Sequence, residues 1–277
     1  MTDSIGISGP RRVYAVCNQK GGSGKTTSTY HLAHAAAAAG RRVLVVDLDP
    51  QRNLTDALAA DTYDPVGRDT LCDLLEPRTT LSPADLTVAG IRENITVLPS
   101  PGVILADADK APWAQRVGRE RRLAEILADA DGYDTVLIDC GPHMDLLMTN
   151  ALAAATAVII PTSPEQFGLQ GFEDLLDTID TVRTYINPAL VTAGVLLNQV
   201  ERTRRMAHWK SVLDDALVGY GLDYLERPIQ RATWIPEAVE AGVSLTDLGT
   251  APARELARVY GQCLDTIATR EDHVHAE

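Results

Sequence analysis

The stretch Gln19-Lys20-Gly21-Gly22-Ser23-Gly24-Lys25-Thr26-Thr27 constrains this chain more than any other. Val13 to Cys17 before it reads as a buried strand, and His31 to Ala39 after it reads as an alanine-rich helix. A glycine turn between a strand and a helix N-terminus presents backbone N–H groups and the positive end of a helix dipole to an anion. Gly21, Gly22 and Gly24 let the backbone wrap close to phosphate oxygens where a Cβ would collide. Lys25 is then placed to reach the β- and γ-phosphates of a nucleotide and the Thr26 hydroxyl to ligate Mg²⁺, with Ser23 and Thr27 in the same cradle. The common form of this loop has glycine five residues before Gly24; Gln19 stands there instead, and Lys20 adds a second lysine. The competing reading is a glycine turn that happens to precede a lysine. The agreed order of strand, loop, helix and Gly-Lys-Thr-Thr argues against it.

Two more apolar runs end in acids. Val43 to Val46 leads into Asp47-Leu48-Asp49-Pro50-Gln51, where Pro50 breaks the strand into a loop. Val136 to Ile138 leads into Asp139-Cys140-Gly141-Pro142. Ligands of open parallel sheets bind beyond the carboxyl ends of the strands, which places Asp47, Asp49 and Asp139 near the phosphates. An acid in that position is suited to hold Mg²⁺. One acid at a strand end is often only a cap or turn former; two such strands beside a phosphate loop are harder to dismiss.

Apolar runs alternate with helical patterns along the chain, the signature of an α/β fold: a single P-loop domain with a mostly parallel twisted sheet flanked by helices on both faces. Strands are predicted over 12–17, 43–47, 95–98, 135–139, 157–161, 191–197 and 224–227. Helices are predicted over 26–39, 53–59, 70–75, 119–128, 146–153, 171–185, 207–218 and 252–269, while 61–68 and 100–112 read as loops. Gly40 stands where a left-handed C-terminal residue belongs. The domain is expected over 12–270, between a flexible N-terminal tail over 1–11 and a C-terminal tail over 271–277. At 277 residues and 45% hydrophobic content the chain can bury a substantial core. Its four cysteines are far apart, form no CxxC pair, and support neither a disulfide framework nor a zinc site.

The loop Lys-Gly-Gly-Ser-Gly-Lys-Thr-Thr, the strand end Asp-Leu-Asp-Pro-Gln and the segment Leu-Ile-Asp-Cys-Gly-Pro together resemble the ParA branch of the ParA/MinD family of deviant Walker ATPases. The likeness continues through Pro161 to Gly171, through Gly194-Val195-Leu196-Leu197-Asn198 and through Arg231 to Leu245. The resemblance implies an ATP- and Mg²⁺-dependent ATPase that closes as a homodimer with nucleotide sandwiched between subunits. Lys20 would cross the interface to the phosphates bound by the other subunit, a role that arginine fingers fill elsewhere at about 10³–10⁵ in rate. It implies that Asp49 orients the attacking water and that Asp47 and Asp139 stand close to Mg²⁺. Glu165 would lie at the interface, where it could pair with Lys20. Asn198, Gln230 and Arg231 would lie at the adenine, although Asn198 also reads simply as a polar end to its strand. Three departures stand out: Gly141-Pro142 where the family often has Pro-Pro, His143 where a small residue is common, and Ile229-Gln230-Arg231 where Ile-Pro-Arg is usual.

The net charge of −13 favours basic partners and repels nucleic acid on average. Basic residues nevertheless cluster. Members of the resembled family bind nonspecific DNA as ATP dimers, and Arg202, Arg204, Arg205, Lys210, Arg227 and Arg231 are the candidates for phosphate contacts of that kind. The alternative is that they form solvated helix faces paired with Glu201, Asp214 and Asp215. Leu256, Tyr260, Cys263, Leu264 and Ile267 form an apolar stripe with an acidic flank, which reads as a helix packed on the core and not as a membrane anchor. The resemblance implies a cytoplasmic, nucleoid-associated partition ATPase for plasmid, prophage or chromosome, with a ParB-like centromere-binding adaptor. Two alternatives are a relative that positions protein cargo on the nucleoid and a P-loop small-molecule ligase or kinase.

Overall fold

The computed structural model describes residues 11–60, 63–164 and 169–276. Seven strands form one sheet in the order β3-β4-β2-β5-β1-β6-β7, with β1 Arg12–Val16, β2 Val43–Leu48, β3 Val88–Ala89, β4 Ile95–Leu98, β5 Thr135–Cys140, β6 Ala157–Thr162 and β7 Val191–Leu197. All pairings are parallel except β3 with β4 at the edge. Parallel strands covered on both faces read as continuous apolar runs, and Val43, Leu44, Val45 and Val46 are each wholly buried.

The pleat splits the core in two. Val13, Ala15 and Cys17 face a cluster built with helices α5 (Arg122–Ala128), α6 (Leu146–Ala154), α7 (Leu169–Tyr185) and α8 (Arg204–Tyr220). Tyr14 and Val16 face the other, built with α1 (Lys25–Ala38), α2 (Asn53–Leu58), α9 (Trp234–Glu240) and α10 (Ala251–Ala276). Two short helices, α3 (Leu71–Leu75) and α4 (Pro83–Leu86), lie between β2 and β3 in sequence. Helix α1 is rich in alanine, the best helix former, and its small side chains let it lie close to the sheet and to α10. Gly40 at φ +78° ends it, with Gly40 N donating to Ala37 O at 2.9 Å.

Several sequence expectations need correction. Tyr224–Arg227 makes an isolated bridge from Tyr224 to Val195 and no strand, because only Leu225 donates to β7 before Pro228, which has no N–H to give; Ile229 then donates to Leu197 O. Residues 102–110 and 112–115 form 3-10 turns where a loop was expected. Helices α4 and α9 and the two-residue β3 had no prediction.

The expected C-terminal tail over 271–277 is, up to Ala276, the last turns of α10. Glu271 is buried there and accepts from Arg12 Nη1 at 2.6 Å and from Tyr14 Oη at 3.2 Å. Arg11, placed in the N-terminal tail, donates to Ala130 O at 2.8 Å. Among the described residues no helix is long and apolar enough to cross a membrane. The apolar stripe of α10 is buried, as Tyr260, Cys263, Leu264 and Ile267 show.

Candidate functional site

The chain leaves β1 into the glycine loop and re-enters regular structure at Lys25, the first residue of α1. Gly22 and Gly24 adopt φ of +74° and +88°, the left-handed region that glycine alone enters without strain. A Cβ on Gly24 would stand 2.7 Å from Asn198 Nδ2. No acidic side chain lies in the first turn of α1, so its N-terminal donors and dipole are free to meet an anion. The buried Lys25 turns its Nζ back across the loop to Lys20 O at 3.2 Å. Lys20 is exposed on the rim. Asn18 braces it from beneath: its Oδ1 accepts from Lys20 N at 3.0 Å and its Nδ2 donates to Pro161 O at 2.7 Å.

The acids lie where the sheet brings the strand ends together. Asp47 and Asp139 are register partners on adjacent strands β2 and β5, both fully buried. Asp139 accepts from Thr26 Oγ1 at 2.8 Å and from Thr29 Oγ1 at 3.1 Å. Burial and then the charge of Asp47 push its carboxyl up to about 8, against the pull of the two threonine hydroxyls. Asp47 accepts from Thr55 N at 2.8 Å, Thr55 Oγ1 at 2.7 Å and Asp49 N at 3.0 Å, and burial pushes it up to about 6. Asp49 is buried; its Oδ1 accepts from Gln51 N at 2.9 Å, and its carbonyl is held by Ser100 Oγ at 2.8 Å. Two buried carboxylates beside a threonine hydroxyl form a hard-oxygen donor set, which suits Mg²⁺ completed by water and phosphate oxygens. Among the described residues no group of three or more His, Cys, Asp or Glu could hold a metal by itself.

Beside the loop opens a cleft of about 510 Å³ lined by Gly24, Thr27, Asn198, Gln230, Arg231 and Tyr260, with α9 along one wall. All three residues expected at the base therefore border it. Asn198 donates Nδ2 to Ser23 O at 3.2 Å and to Ser28 Oγ at 3.1 Å, which ties β7 to the phosphate loop. Gln199, at φ +56°, adds Nε2 to Gly22 O at 2.9 Å.

The AAA_31 family model, an AAA domain, matches residues 11–192. A chromosome partitioning protein ParA from Caulobacter vibrioides is 36% identical over 271 residues, 95% of this chain and 97% of that protein. The chain belongs to the ParA family. A Mycobacterium smegmatis structure described as cobyrinic acid a,c-diamide synthase with bound ATP analog and magnesium is 35% identical, with a TM-score of 0.72, and covers 87% of this chain and 97% of its own. An ATP complex of Cyanothece McdA shares the fold at 19% identity, with a TM-score of 0.79 over 93% and 96% of the two chains.

In this ParA-family chain the basic candidates divide. Arg231 pairs with Glu201 at 3.0 Å, Lys210 with Asp214 at 2.8 Å and Arg227 with Glu255 at 2.6 Å. Arg202, Arg204 and Arg205 are exposed and have no ion-pair partner among the described residues. Glu165 lies outside the described residues. His143 is exposed, as a solvated loop histidine would be. Sequence reading missed Asn18, Thr29, Thr55, Ser100 and Gln199. Only Thr29, one helical turn beyond Lys25, carries a spacing signal that could have found it.

Proposed function

We propose that this chain is an Mg²⁺-dependent ATPase of DNA partition. In this reading it closes as a homodimer on ATP, binds nonspecific DNA in that state, and leaves DNA when a ParB-like adaptor stimulates hydrolysis. The observation that carries the reading is the pair of lysines on one loop: Lys25 is buried in the cradle while Lys20 is exposed on its rim. An exposed rim cation beside a buried one supports a role for Lys20 on a second subunit's phosphates.

In the proposed mechanism the backbone of Gly21 to Gly24 and the Lys25 ammonium hold the triphosphate. Thr26, Asp47 and Asp139 would hold Mg²⁺, and the 510 Å³ cleft would take the base against Asn198, Gln230 and Arg231. Mg²⁺ held there would supply neutralisation of phosphate charge. Asp49 orients a water toward the γ-phosphorus, and Lys20 of the opposite subunit stabilises the charge that develops there. Glu165 would meet that lysine at the interface. Helix α8 supports the DNA arm of the reading: it opens on Arg204 and Arg205, cations placed against the positive end of a helix dipole. A DNA phosphate there would relieve that conflict and bind both guanidinium groups and N–H donors.

The test is ATPase rate, sedimentation with ATP, and DNA binding for wild type, Lys20→Ala and Asp49→Ala. Asp49→Ala is expected to dimerise and bind DNA with ATP but to hydrolyse poorly. Lys20→Ala is expected to lose both hydrolysis and stable dimerisation. A strictly monomeric ATP-loaded wild type would overturn the reading. The Mycobacterium smegmatis description supports a second reading, an amide-forming ligase. ATPase activity that requires an added carboxylic acid and an amine donor, and ignores DNA, would favour it.

A further inference from the structure

A second cavity, of about 350 Å³, lies away from the phosphate loop, between the later turns of α1, the middle of α10 and the segments around Arg92 and Ser244. Its lining includes Arg92, Arg254 and Arg258 and no acidic side chain, in a chain whose net charge is −13. Arg254 and Arg258 stand one turn apart on α10, so both guanidinium groups rise on the same side of the helix. Arg254 has no ion-pair partner among the described residues. Arg92 and Arg258 do have partners: Arg92 meets Asp247 at 2.7 Å, and Arg258 meets Glu255, which also holds Arg227. The cations around the cavity still outnumber the acids bordering it.

The floor adds an independent observation. His34 lines the cavity and is only 5% exposed, yet neither ring nitrogen has a hydrogen-bond partner. Burial, reinforced by the charge of Arg92, lowers it to about 4, so the ring is neutral and offers one N–H donor. A buried polar group left unpaired is costly unless a ligand or water satisfies it. Small residues, Ala35, Ala38 and Gly261, leave the room.

We propose that this cavity binds a small anion carrying a phosphate or diphosphate group. Arginine forks grip the oxyanion from the rim, the His34 N–H donates to it from the floor, and the alanines of α1 and α10 pack against the rest of the molecule. The site is independent of the hydrolysis reading, since none of its charged residues touches the nucleotide cleft. Its wall is shared with that cleft, however: Thr27 and Tyr260 line the one, His34 and Arg258 the other, on the same two helices.

The probe is pyrophosphate, titrated calorimetrically into the Lys25→Ala protein, in which the phosphate loop is weakened. Wild type saturated with Mg·ADP gives the same measurement without the loop substitution, with the His34 ring proton resonance as the local readout. One pyrophosphate is expected to bind per chain and to shift that resonance. Arg254→Ala with Arg258→Ala, at exposed positions, is expected to weaken binding by about tenfold or more, the loss of charge-assisted hydrogen bonds, and to leave ADP affinity unchanged. No binding in either protein, or binding indifferent to the arginine pair, would overturn the site. Succinate binding as tightly as pyrophosphate would overturn the phosphate assignment.

Discussion

Thr26 donates its hydroxyl to Asp139 Oδ2 at 2.8 Å, joining the first turn of α1 to the end of β5. Both residues are proposed, with Asp47, to hold Mg²⁺, and they come from motifs 113 residues apart. Thr29, one turn further along α1, grips the other carboxylate oxygen at 3.1 Å, so two hydroxyls of one helix orient the acid.

Asp139 is held at about 8, far above the ordinary carboxylate value near 3.8. The folded chain therefore binds a proton that the unfolded chain has released, and this group's contribution to stability falls as pH rises from about 4 to about 8. Asp139→Asn is expected to melt at pH 8 no lower than wild type. Its Mg²⁺-dependent ATPase activity is expected to fall by about 10² or more. A clear drop in melting temperature at pH 8 would contradict the assigned burial cost.

Gly24→Ala should damage both fold and function. It forces a side chain into φ +88° and into contact with Asn198 Nδ2, costing about 1–3 kcal/mol. Gly21→Ala is the control for the fold alone, because a Cβ there meets no protein atom within 4 Å. Denaturant melts should separate the two, with ADP affinity lost in the Gly24 variant.

Glu271→Ala tests whether the end of α10 belongs to the domain. The substitution takes one of two carboxylate partners from Arg12, which keeps Asp272 at 2.9 Å, and removes the acceptor of Tyr14 Oη, so a loss of about 1–3 kcal/mol is expected. A chain ending at Arg270 loses both carboxylates of Arg12 and should lose more. Unchanged stability in both would return these residues to the status of a tail.

His31 and His34 are buried and neutral, lowered to about 3 and about 4, in each case mainly by burial. Both values lie below the unfolded value of 6.5, so the unfolded chain binds the extra protons. Stability is fully present above pH 6.5 and is lost as pH falls toward 4. Asp139 and Asp47 oppose this slope, their folded values being raised to about 8 and about 6. The comparison with His31→Phe isolates the histidine: the slope of stability against pH between pH 5 and 6.5 should be more positive in wild type by up to about 1.4 kcal/mol per pH unit. Parallel slopes would refute the assignment.

The phosphate loop, the acids at 47, 49 and 139 and the α/β class were legible in sequence because each is local. A glycine turn, an apolar run and a strand-ending acid sit within a few residues of one another, and parallel strands buried on both faces need continuous apolar runs. The neighbourhoods were not legible, because they depend on strand order. Only the insertion of β5 between β2 and β1 sets Asp47 against Asp139 and brings Thr26 and Thr29 to the same carboxylate. Asn198 under Ser23, Ser100 on Asp49 and Arg12 on Glu271 are pairings of residues remote in sequence. No periodicity encodes such pairs, and burial alone made each hydrogen bond obligatory.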